Sequence, residues 1–524
     1  MKKLGLLREP ERRRLFFLLL GGKMLGVSAV LVGIKFVASY FDTGASAAVV
    51  HQANDIINPI NTVWVLVTAF LVFFMQAGFM ALEAGFARSR ETVNVLLECV
   101  FDTCLCGVLY WAFGFAFHFG AGNGFIGHQY FMLHGAPATY GTTGVAFLAF
   151  WLFQFAFADT CSTITSGAMV GRTGFKGDIL YSTAVSGFIY PIFGHWAWGP
   201  GGWLGNMTPK FLNSFTHGAV FRDFAGSTVV HTVGGFIALA GAIALGPRLG
   251  RVFKRDGGGP LPPHDLTVGS IGAIILWFGW YGFNPGSTLS AMDFGGIGRV
   301  AANTTLAACA AGLSAVFFVY PRFKKWDLGM SCNGLLGGLV AITAPCYWVS
   351  PAGAVWIGAI AGVVVPLGVD LLEHLRVDDP IGAVAVHGFA GIWGTLSVGL
   401  FATGKFGVPG ADGADVTTVV KGLFYGGGID QLKAQALGSG VAVAAVFGIS
   451  LVVMYFVHLT KTLRVSRDGE LEGLDIHEHG TPAYHMEFGQ GVSYTTLVGS
   501  GRPFTDGGTS EASVMDTEST RSAT

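Results

Sequence analysis

Apolar residues recur along this chain in eleven long runs, separated by short polar connections. The runs lie at about 62–87, 97–119, 143–169, 178–198, 226–246, 266–288, 298–319, 329–346, 352–373, 383–403 and 434–460. A run of about 20 apolar residues is long enough to cross the roughly 30 Å hydrocarbon core of a bilayer as a helix. Because lipid offers no partner for backbone N–H and C=O groups, each run is predicted to be an α-helix. The pattern therefore predicts an all-α, polytopic membrane protein with eleven transmembrane helices.

Basic residues in the connections predict how these helices are oriented. Arg and Lys concentrate after the odd-numbered spans, as at Arg88 and Arg90 after the first and within 248–255 after the fifth. The connection at 120–142 contains neither residue type. By the positive-inside rule, the odd-numbered spans end in the cytoplasm. The core is therefore predicted to begin outside and to end with a cytoplasmic C-terminus.

The two ends of the chain differ from this core. Residues 1–50 join a basic start to an apolar run, as a signal peptide or a retained signal anchor does, and both alternatives stay open. Residues 51–463 form the predicted transmembrane domain. Residues 464–485 contain Gly and Pro at spacings that favour an ordered cytoplasmic regulatory tail. Residues 486–524 are low in hydrophobic residues, which predicts a disordered cytoplasmic extension.

Composition narrows the function classes. Of 524 residues, 52% are hydrophobic and 12% charged, whereas soluble domains carry about 25% charged residues. The net charge of −1 argues against a nucleic-acid-binding surface. Seven cysteines lack metal-ligand or disulfide spacing, and the His-Glu-His of the tail is more typical of a solvated segment than of a metal site. No metal or other cofactor is predicted.

Two of the runs each contain a histidine among Val, Ala and Gly. DFAGSTVVHTVGG places Asp223 eight residues before His231, and DDPIGAVAVHGFAGI places Asp379 eight residues before His387. These are the fifth and tenth spans, so spans 1–5 and 6–10 are predicted to be copies. Because five is odd, the second copy is inverted, as in many transporters. The neighbouring glycines allow the two helices to approach until their histidines meet.

The histidines and the acids have different predicted roles. A single His in an apolar helix is more often a packed residue than a functional group. A symmetric pair favours a transport pathway, because ionisable residues inside a membrane are costly and commonly line such pathways. Asp223 and Asp379 open their helices, where a carboxylate caps free N–H groups. A separation of about 12 Å along each helix argues against a shared Asp–His metal site, and so against an intramembrane enzyme.

Eight motifs occur in order along residues 62–485. They are FMQAGFMALEAG, FQFAF, ITSGAMVGR, YPIFGHWAWG, DFAGSTVVHTVGG, WYGFNPGS, LRVDDPIGAVAVHG and ELEGLDIHEHGTPAY. Together they resemble the motifs of the ammonium transporter (Amt/Mep/Rh) superfamily, especially its plant and cyanobacterial branch. The resemblance implies eleven helices with an inverted five-plus-five repeat, assembled as a homotrimer with one pore per subunit. It also implies a multi-pass protein of the plasma membrane that contacts lipid and transports ammonium or ammonia.

The resemblance implies an outer site that recruits the cation. Trp198, Ser287 and Phe153 correspond to this substrate-binding site, and Asp223 supports it. Aromatic ring faces attract a small cation by about 2 kcal/mol or more when it is desolvated. Most of the 44 Phe and 12 Trp must face lipid or the core, so aromatic content alone carries little information.

The resemblance also implies a gate and a conduction path below that site. Phe157 and Phe283 correspond to stacked rings that close the pore, and His231 and His387 to paired histidines that line it. Full desolvation of NH4+ is prohibitive, so deprotonation near the gate and conduction of NH3 are expected. A proton can pass separately along the imidazoles, whose pKa lies in a useful range. Electrogenic and electroneutral transport both stay open.

The tail motif carries three regulatory positions and one departure. Gly473 and Asp475 keep the family pattern, which implies docking onto an adjacent subunit, while His477 stands where plant relatives often have a regulatory Thr. Phosphorylation is therefore excluded at that position. A second departure is Asp159, two residues beyond Phe157, where family members usually carry a small or apolar residue. Two alternatives stay open for it: a buried, protonated carboxyl, or one that faces water and alters conductance.

Two alternatives to an ammonium transporter stay open. One is an Rh-like electroneutral channel for NH3 or CO2, although Trp198 and Ser287 favour a charged substrate. The other is an ammonium sensor, or transceptor, that signals through its C-terminal tail. PII-type proteins bind some relatives, and nothing in this sequence selects for or against them or a regulatory kinase.

Overall fold

A computed structural model describes residues 56–407, 409–410, 413–414 and 419–484. The segments predicted above at 1–50 and 486–524 lie outside the described residues.

Long helices occupy the positions of the predicted runs. They are α1 (Ile57–Phe86), α2 (Ser89–Phe119), α3 (Phe147–Gly167), α4 (Phe175–Ala184 continuing through Val185–Ile189 into Tyr190–Trp198), α5 (Ser227–Leu245), α6 (Leu266–Gly286), α7 (Phe294–Phe323), α8 (Leu328–Thr343), α9 (Pro351–Leu375), α10 (Val384–Phe401) and α11 (Asp430–Leu459). Two short helices follow in the tail, α12 (Arg467–Glu472) and α13 (Leu474–His479).

The connections contain little regular structure. Short helical turns lie at Phe131–Leu133, Trp203–Asn206, Lys210–Phe215, Lys254–Asp256 and Leu423–Tyr425. Two-residue antiparallel strands pair Thr139–Tyr140 with Val145–Ala146, and Pro409–Gly410 with Gly413–Ala414. The fold is therefore built almost entirely from helices, as the sequence predicts.

Nine helices of the described residues are long and apolar enough to cross a membrane. The other two predicted spans coincide with α4 and α8. Helix α8 has only 16 residues, and α4 carries Lys176, Asp178 and His195 among its apolar residues. A multi-pass membrane protein is thus supported, while the count of eleven crossings, the inverted repeat and the orientation stay predictions.

Small residues let these helices pack closely. A Cβ added to Gly272 of α6 would collide with the backbone of α1 at Leu82, and one added to Gly358 of α9 would collide with Ala307 of α7. Close approach of backbones through glycine is the usual way in which helices associate in lipid. Large apolar side chains such as Phe70, Phe317 and Phe456 instead stay exposed on the outside of the bundle. We expect lipid to cover them.

Candidate functional site

A cavity of about 370 Å³ opens at one end of the helix bundle. We call it the outer vestibule, after the orientation predicted from the basic residues. Helix α3 contributes Phe153 and Phe157 to its wall, α4 ends in it with Trp198, and Ser287 follows the last residue of α6. The vestibule is also lined by Asp223 and the adjacent Arg222. All four residues predicted to recruit substrate thus lie around one cavity.

Two hydrogen bonds fix the polar atoms of this wall. The Trp198 indole N–H donates to the backbone oxygen of Asp223 at 2.7 Å, and the Ser287 hydroxyl donates to the backbone oxygen of Phe283 at 2.8 Å. The indole can therefore offer a cation only its ring face. The hydroxyl hydrogen of Ser287 is used in that bond, so the Ser287 oxygen can only accept an N–H hydrogen bond from a ligand. Both groups are prepared for a donor-rich cation.

The Asp223 carboxylate caps the first turn of α5. One oxygen accepts the N–H groups of Gly226 and Ser227 at 2.8 and 3.0 Å, and the other accepts those of Thr228 and Val229 at 2.8 and 2.9 Å. Burial raises the pKa of Asp223 to about 6, although the four N–H donors oppose that rise. The capping role predicted from sequence is confirmed. The charge of this carboxylate attracts a cation in the vestibule, but the carboxylate oxygens are directed at the helix and not at the cavity.

Asp379 repeats this cap at the start of α10. Its two oxygens accept the N–H groups of Ala383 and Val384, each at 2.9 Å. Burial raises its pKa to about 6 as well, against the pull of those N–H donors. The adjacent Asp378 behaves differently, because its ion pair with Arg248 lowers its pKa although burial acts in the opposite direction.

Stacked phenyl rings close the bottom of the vestibule. The centroid of the Phe157 ring lies 4.0 Å from that of Phe283, with 23° between the ring planes, and 4.7 Å from that of Phe153. All three side chains are buried. No polar group in the stack can solvate an ion, so NH4+ cannot pass between the rings with its hydration shell.

The two histidines meet directly beneath these rings. His231 Nδ1 lies 3.2 Å from His387 Nδ1, and the ring centroids are 5.2 Å apart. His231 is itself stacked below Phe283, at 5.4 Å between centroids. For two neutral rings this contact needs one Nδ1 as donor and the other as acceptor, so the pair must adopt opposite tautomers. One imidazole thus donates its Nδ1–H to the other.

Wide helical turns and glycines bring the histidines together. His231 lies in a π-helical turn at Ser227–Thr232, and His387 lies in another at Val384–Phe389. A Cβ on Gly235 would collide with the backbone nitrogen of Gly388, so only glycine permits this crossing of α5 and α10. π-Helical turns commonly mark functional sites.

A second, much smaller cavity lies beyond His387. We call it the inner cavity. It has a volume of about 20 Å³ and is lined by His387, Phe79, Glu83, Asn333 and residues of α8 and α10. The ring centroids of Phe79 and His387 are 6.4 Å apart. The vestibule, the ring stack, the two histidines and this cavity therefore form one continuous row.

Several members of this row were not identified from sequence. Trp280 stacks on His231 at 5.1 Å and donates its indole N–H to Thr343 at 2.9 Å. His118 lies parallel to Trp198 at 6.2 Å. Phe79 and Glu83 belong to the motif FMQAGFMALEAG. Trp280, Phe79 and Glu83 lie in motifs quoted above and His118 does not, but the sequence does not tell which helix face turns toward this row.

The structure separates Asp159 from the row. Its side chain is buried between α3 and α2, where one oxygen accepts a hydrogen bond from Thr103 at 3.2 Å. It lines neither the outer vestibule nor the inner cavity.

The tail residues lie against the chain's own helices. Asp475 accepts the backbone N–H of Asn94 at 3.0 Å near the start of α2, and Gly473 packs on Arg90 with a φ of 108°. His477 Nδ1 lies 3.2 Å from Glu472 Oε2, also within the tail. The predicted contact with an adjacent subunit stays a prediction.

Comparisons with known proteins identify relatives along nearly the whole described chain. The Ammonium Transporter Family model matches residues 63–484. Ammonium transporter Amt2 of Archaeoglobus fulgidus is 40% identical over 457 residues, which cover 87% of this chain and 94% of that protein. Ammonium transporter 1 member 3 of Solanum lycopersicum is 38% identical over 446 residues, covering 82% and 94%. A solved structure described as a sensor Amt protein is 36% identical, with a TM-score of 0.72, covering 82% of this chain and all of that one.

Proposed function

This chain belongs to the ammonium transporter family, and from that premise we propose that it recruits NH4+ in the outer vestibule and conducts NH3 past His231 and His387. The observation that carries this proposal is the continuous row from Trp198 through the Phe157–Phe283 stack to the paired imidazoles. Each step of that row has a chemistry that suits a different form of the substrate.

The vestibule suits the charged form. The ring faces of Trp198 and Phe153 and the free lone pairs of Ser287 replace part of the hydration shell of NH4+. The nearby charge of Asp223 favours a cation without binding it directly, because its oxygens cap α5. Recruitment therefore depends on the aromatic ring faces, the Ser287 hydroxyl and the electrostatic field of Asp223.

The ring stack suits only the neutral form. Moving an ion without partners into an apolar environment costs tens of kcal/mol in a medium of low dielectric constant. This cost is removed if an N–H bond of NH4+ breaks at the stack and the Nε2 of His231, which has no hydrogen-bond partner among the described residues, accepts the proton. NH3 then moves past Phe157 and Phe283. The proton moves separately through the hydrogen-bonded pair His231 and His387, whose 3.2 Å contact can pass it from ring to ring. Net transport is then electrogenic uptake of NH4+.

The architecture belongs to the same proposal. We propose eleven membrane crossings within residues 51–463, an inverted five-plus-five repeat, an outer N-terminal end of the core and a cytoplasmic tail at 464–485. The matching Asp–His spacing, caps and π-helical turns of α5 and α10 support the repeat. A homotrimer in the plasma membrane, with Gly473, Asp475 and His477 acting in regulation, completes the proposal.

The test is the current that ammonium evokes in an oocyte clamped at negative potential. We expect a saturable inward current for the wild type and its loss in His231→Ala and His387→Ala. The matched control is His217→Ala, because His217 is exposed and pairs only with Asp430 at the surface among the described ion pairs. Ammonia flux without current would show an electroneutral channel. A wild type with neither signal would contradict the proposal.

A further inference from the structure

The proposed pathway does not yet use Glu83, although this carboxyl lies at its inner end. Glu83 is in the last turn of α1, four residues after Phe79, so both side chains lie on one face of the helix. Phe79 contacts the His387 ring, and Glu83 lines the inner cavity together with His387. The carboxyl therefore lies about one helical turn, or roughly 6 Å, further along the row.

No structural role accounts for a carboxyl at this position. Glu83 is only 2% exposed, and it forms no ion pair with any described residue. Helix C-termini favour positive rather than negative side chains, because the helix dipole is negative there. A capping role is also excluded, because the cap at Ala87 uses the backbone oxygen of Glu83 and not its side chain.

The hydrogen bonding of this carboxyl is incomplete as well. Its contact with the Ser166 hydroxyl is long, at 3.4 Å, and the same hydroxyl lies 2.9 Å from the backbone oxygen of Thr163. One hydroxyl hydrogen cannot fully serve both acceptors. Burial of a carboxyl with so little support is destabilising. Such residues inside membrane proteins commonly carry function.

We propose that Glu83 is the inner protonation site, where NH3 recombines with the proton that has moved separately. This inference rests on the proposed function. The inner cavity has space for about one small molecule, the size of water or ammonia. The O–H bond of the Glu83 carboxylic acid breaks and a fourth N–H bond forms on NH3, which gives NH4+ and a carboxylate. The carboxylate then regains a proton from the imidazole of His387, which passes on the proton taken from NH4+ at the ring stack.

The row thereby gains a proton-exchanging carboxyl at the inner end of its apolar section, beyond the two imidazoles. If the Glu83 carboxyl were absent, ammonia that has passed His387 would enter the inner aqueous phase as a base and take up a proton there. Charge movement through the protein would then lose its last step. NH3 conduction would continue, because the substitution leaves the ring stack and both imidazoles unchanged.

The experiment uses the full chain in proteoliposomes, with two readouts after an ammonium jump. Charge movement is recorded electrically, and lumen pH is followed with an entrapped dye against protein-free vesicles. Entry of NH3 alone raises lumen pH, whereas entry of NH3 with its proton does not. Glu83→Gln keeps the size of the side chain and removes its acidity. We expect charge movement to fall at least about tenfold, since one proton-transfer residue contributes typically 10²–10⁴-fold to a rate, while protein-dependent alkalinisation persists.

Two further variants separate proton transfer from folding. Asp159→Asn is the matched control, because Asp159 is a buried acid of α3 that does not line the inner cavity, and it should keep nearly the wild-type current. Glu83→Asp retains an acid and should keep part of the current. Unchanged charge movement in Glu83→Gln would overturn the inference. So would loss of both signals in Glu83→Gln and Glu83→Asp alike, which would make Glu83 structural. A wild type without either signal would instead overturn the proposed function itself.

Discussion

The outer vestibule and the inner cavity lie at opposite ends of one row and differ in almost every property. The vestibule has a volume of about 370 Å³, and the inner cavity has about 20 Å³. The vestibule offers ring faces and a hydroxyl, with its carboxylate turned toward a helix, whereas the inner cavity contains a carboxyl that no helix N-terminus uses. The first arrangement suits the proposed selection of a cation, and the second suits the proposed exchange of a proton.

The two histidines between these regions also differ from each other in burial and in their surroundings. His231 is fully buried against the rings of Phe283 and Trp280, and its Nε2 has no hydrogen-bond partner among the described residues. His387 is 6% exposed and lines the inner cavity. Two equivalent sequence positions therefore face different chemistry. His231 belongs to the apolar section, and His387 belongs to its exit.

The largest effect is expected from breaking the pair at its outer member. His231→Ala leaves a gap beside Phe283 and Trp280 and removes one of two imidazoles, so we expect ammonium current to fall about 100-fold, the usual scale for a proton-transferring side chain. His387→Glu should retain more current than His231→Glu, because a carboxyl is tolerated better beside the inner cavity than against two aromatic rings. Equal currents in both Glu variants would show that the two positions are equivalent.

The sequence predicts much of this row and misses its inner end. The apolar runs locate the helices, and the Asp–His spacing locates the caps and the paired rings. Periodicity gives no sign of the π-helical turns at His231 and His387, because they depend on how α5 and α10 pack. Glu83 was missed because its meaning depends on a cavity shared with His387, which lies about 300 residues later in the chain.

The glycine in the motif ITSGAMVGR also has a physical reason that the sequence does not reveal. Gly171 has a φ of 83°, in the left-handed region that favours glycine. A side chain there would collide with the carboxylate of Glu91, which comes from the start of α2. The space beside Gly171 is thus occupied by a carboxylate from a different segment of the chain.

The next largest effect concerns recruitment in the outer vestibule. Trp198→Leu removes a cation–π face worth about 2 kcal/mol, which corresponds to roughly a 30-fold rise in the apparent KM for ammonium. Ser287→Ala removes one hydrogen-bond acceptor worth about 1 kcal/mol, and so raises KM about fivefold. Concentration dependence of the current measures both. A fall in maximal current with an unchanged KM would place these residues outside recruitment.

A smaller effect is expected from acid acting on the outer carboxylate. Burial raises the pKa of Asp223 to about 6, so the group is charged above that pH and binds a proton below it. At pH 5 only about a tenth of it remains ionised, and its attraction for a cation falls in proportion. We expect uptake to fall up to about tenfold between external pH 7 and 5. Asp223→Asn should show a low uptake that no longer depends on pH in this range, and a wild-type profile that is flat down to pH 5 would contradict the assignment.

The smallest effect is expected at Asp159, which sharpens the comparison between buried acids. Asp159 and Glu83 are both 2% exposed, and each receives one hydroxyl that is shared with a backbone oxygen. Glu83 lines the inner cavity, whereas Asp159 lines neither cavity. Asp159→Asn keeps the size of the side chain and an acceptor for Thr103. The current should therefore change less than about twofold, which corresponds to no more than about 0.5 kcal/mol, the low end of what one hydrogen bond contributes. A change as large as that of Glu83→Gln would mean that protons also travel between α2 and α3. Burial alone, rather than a place in the row, would then decide which acids take part in transport.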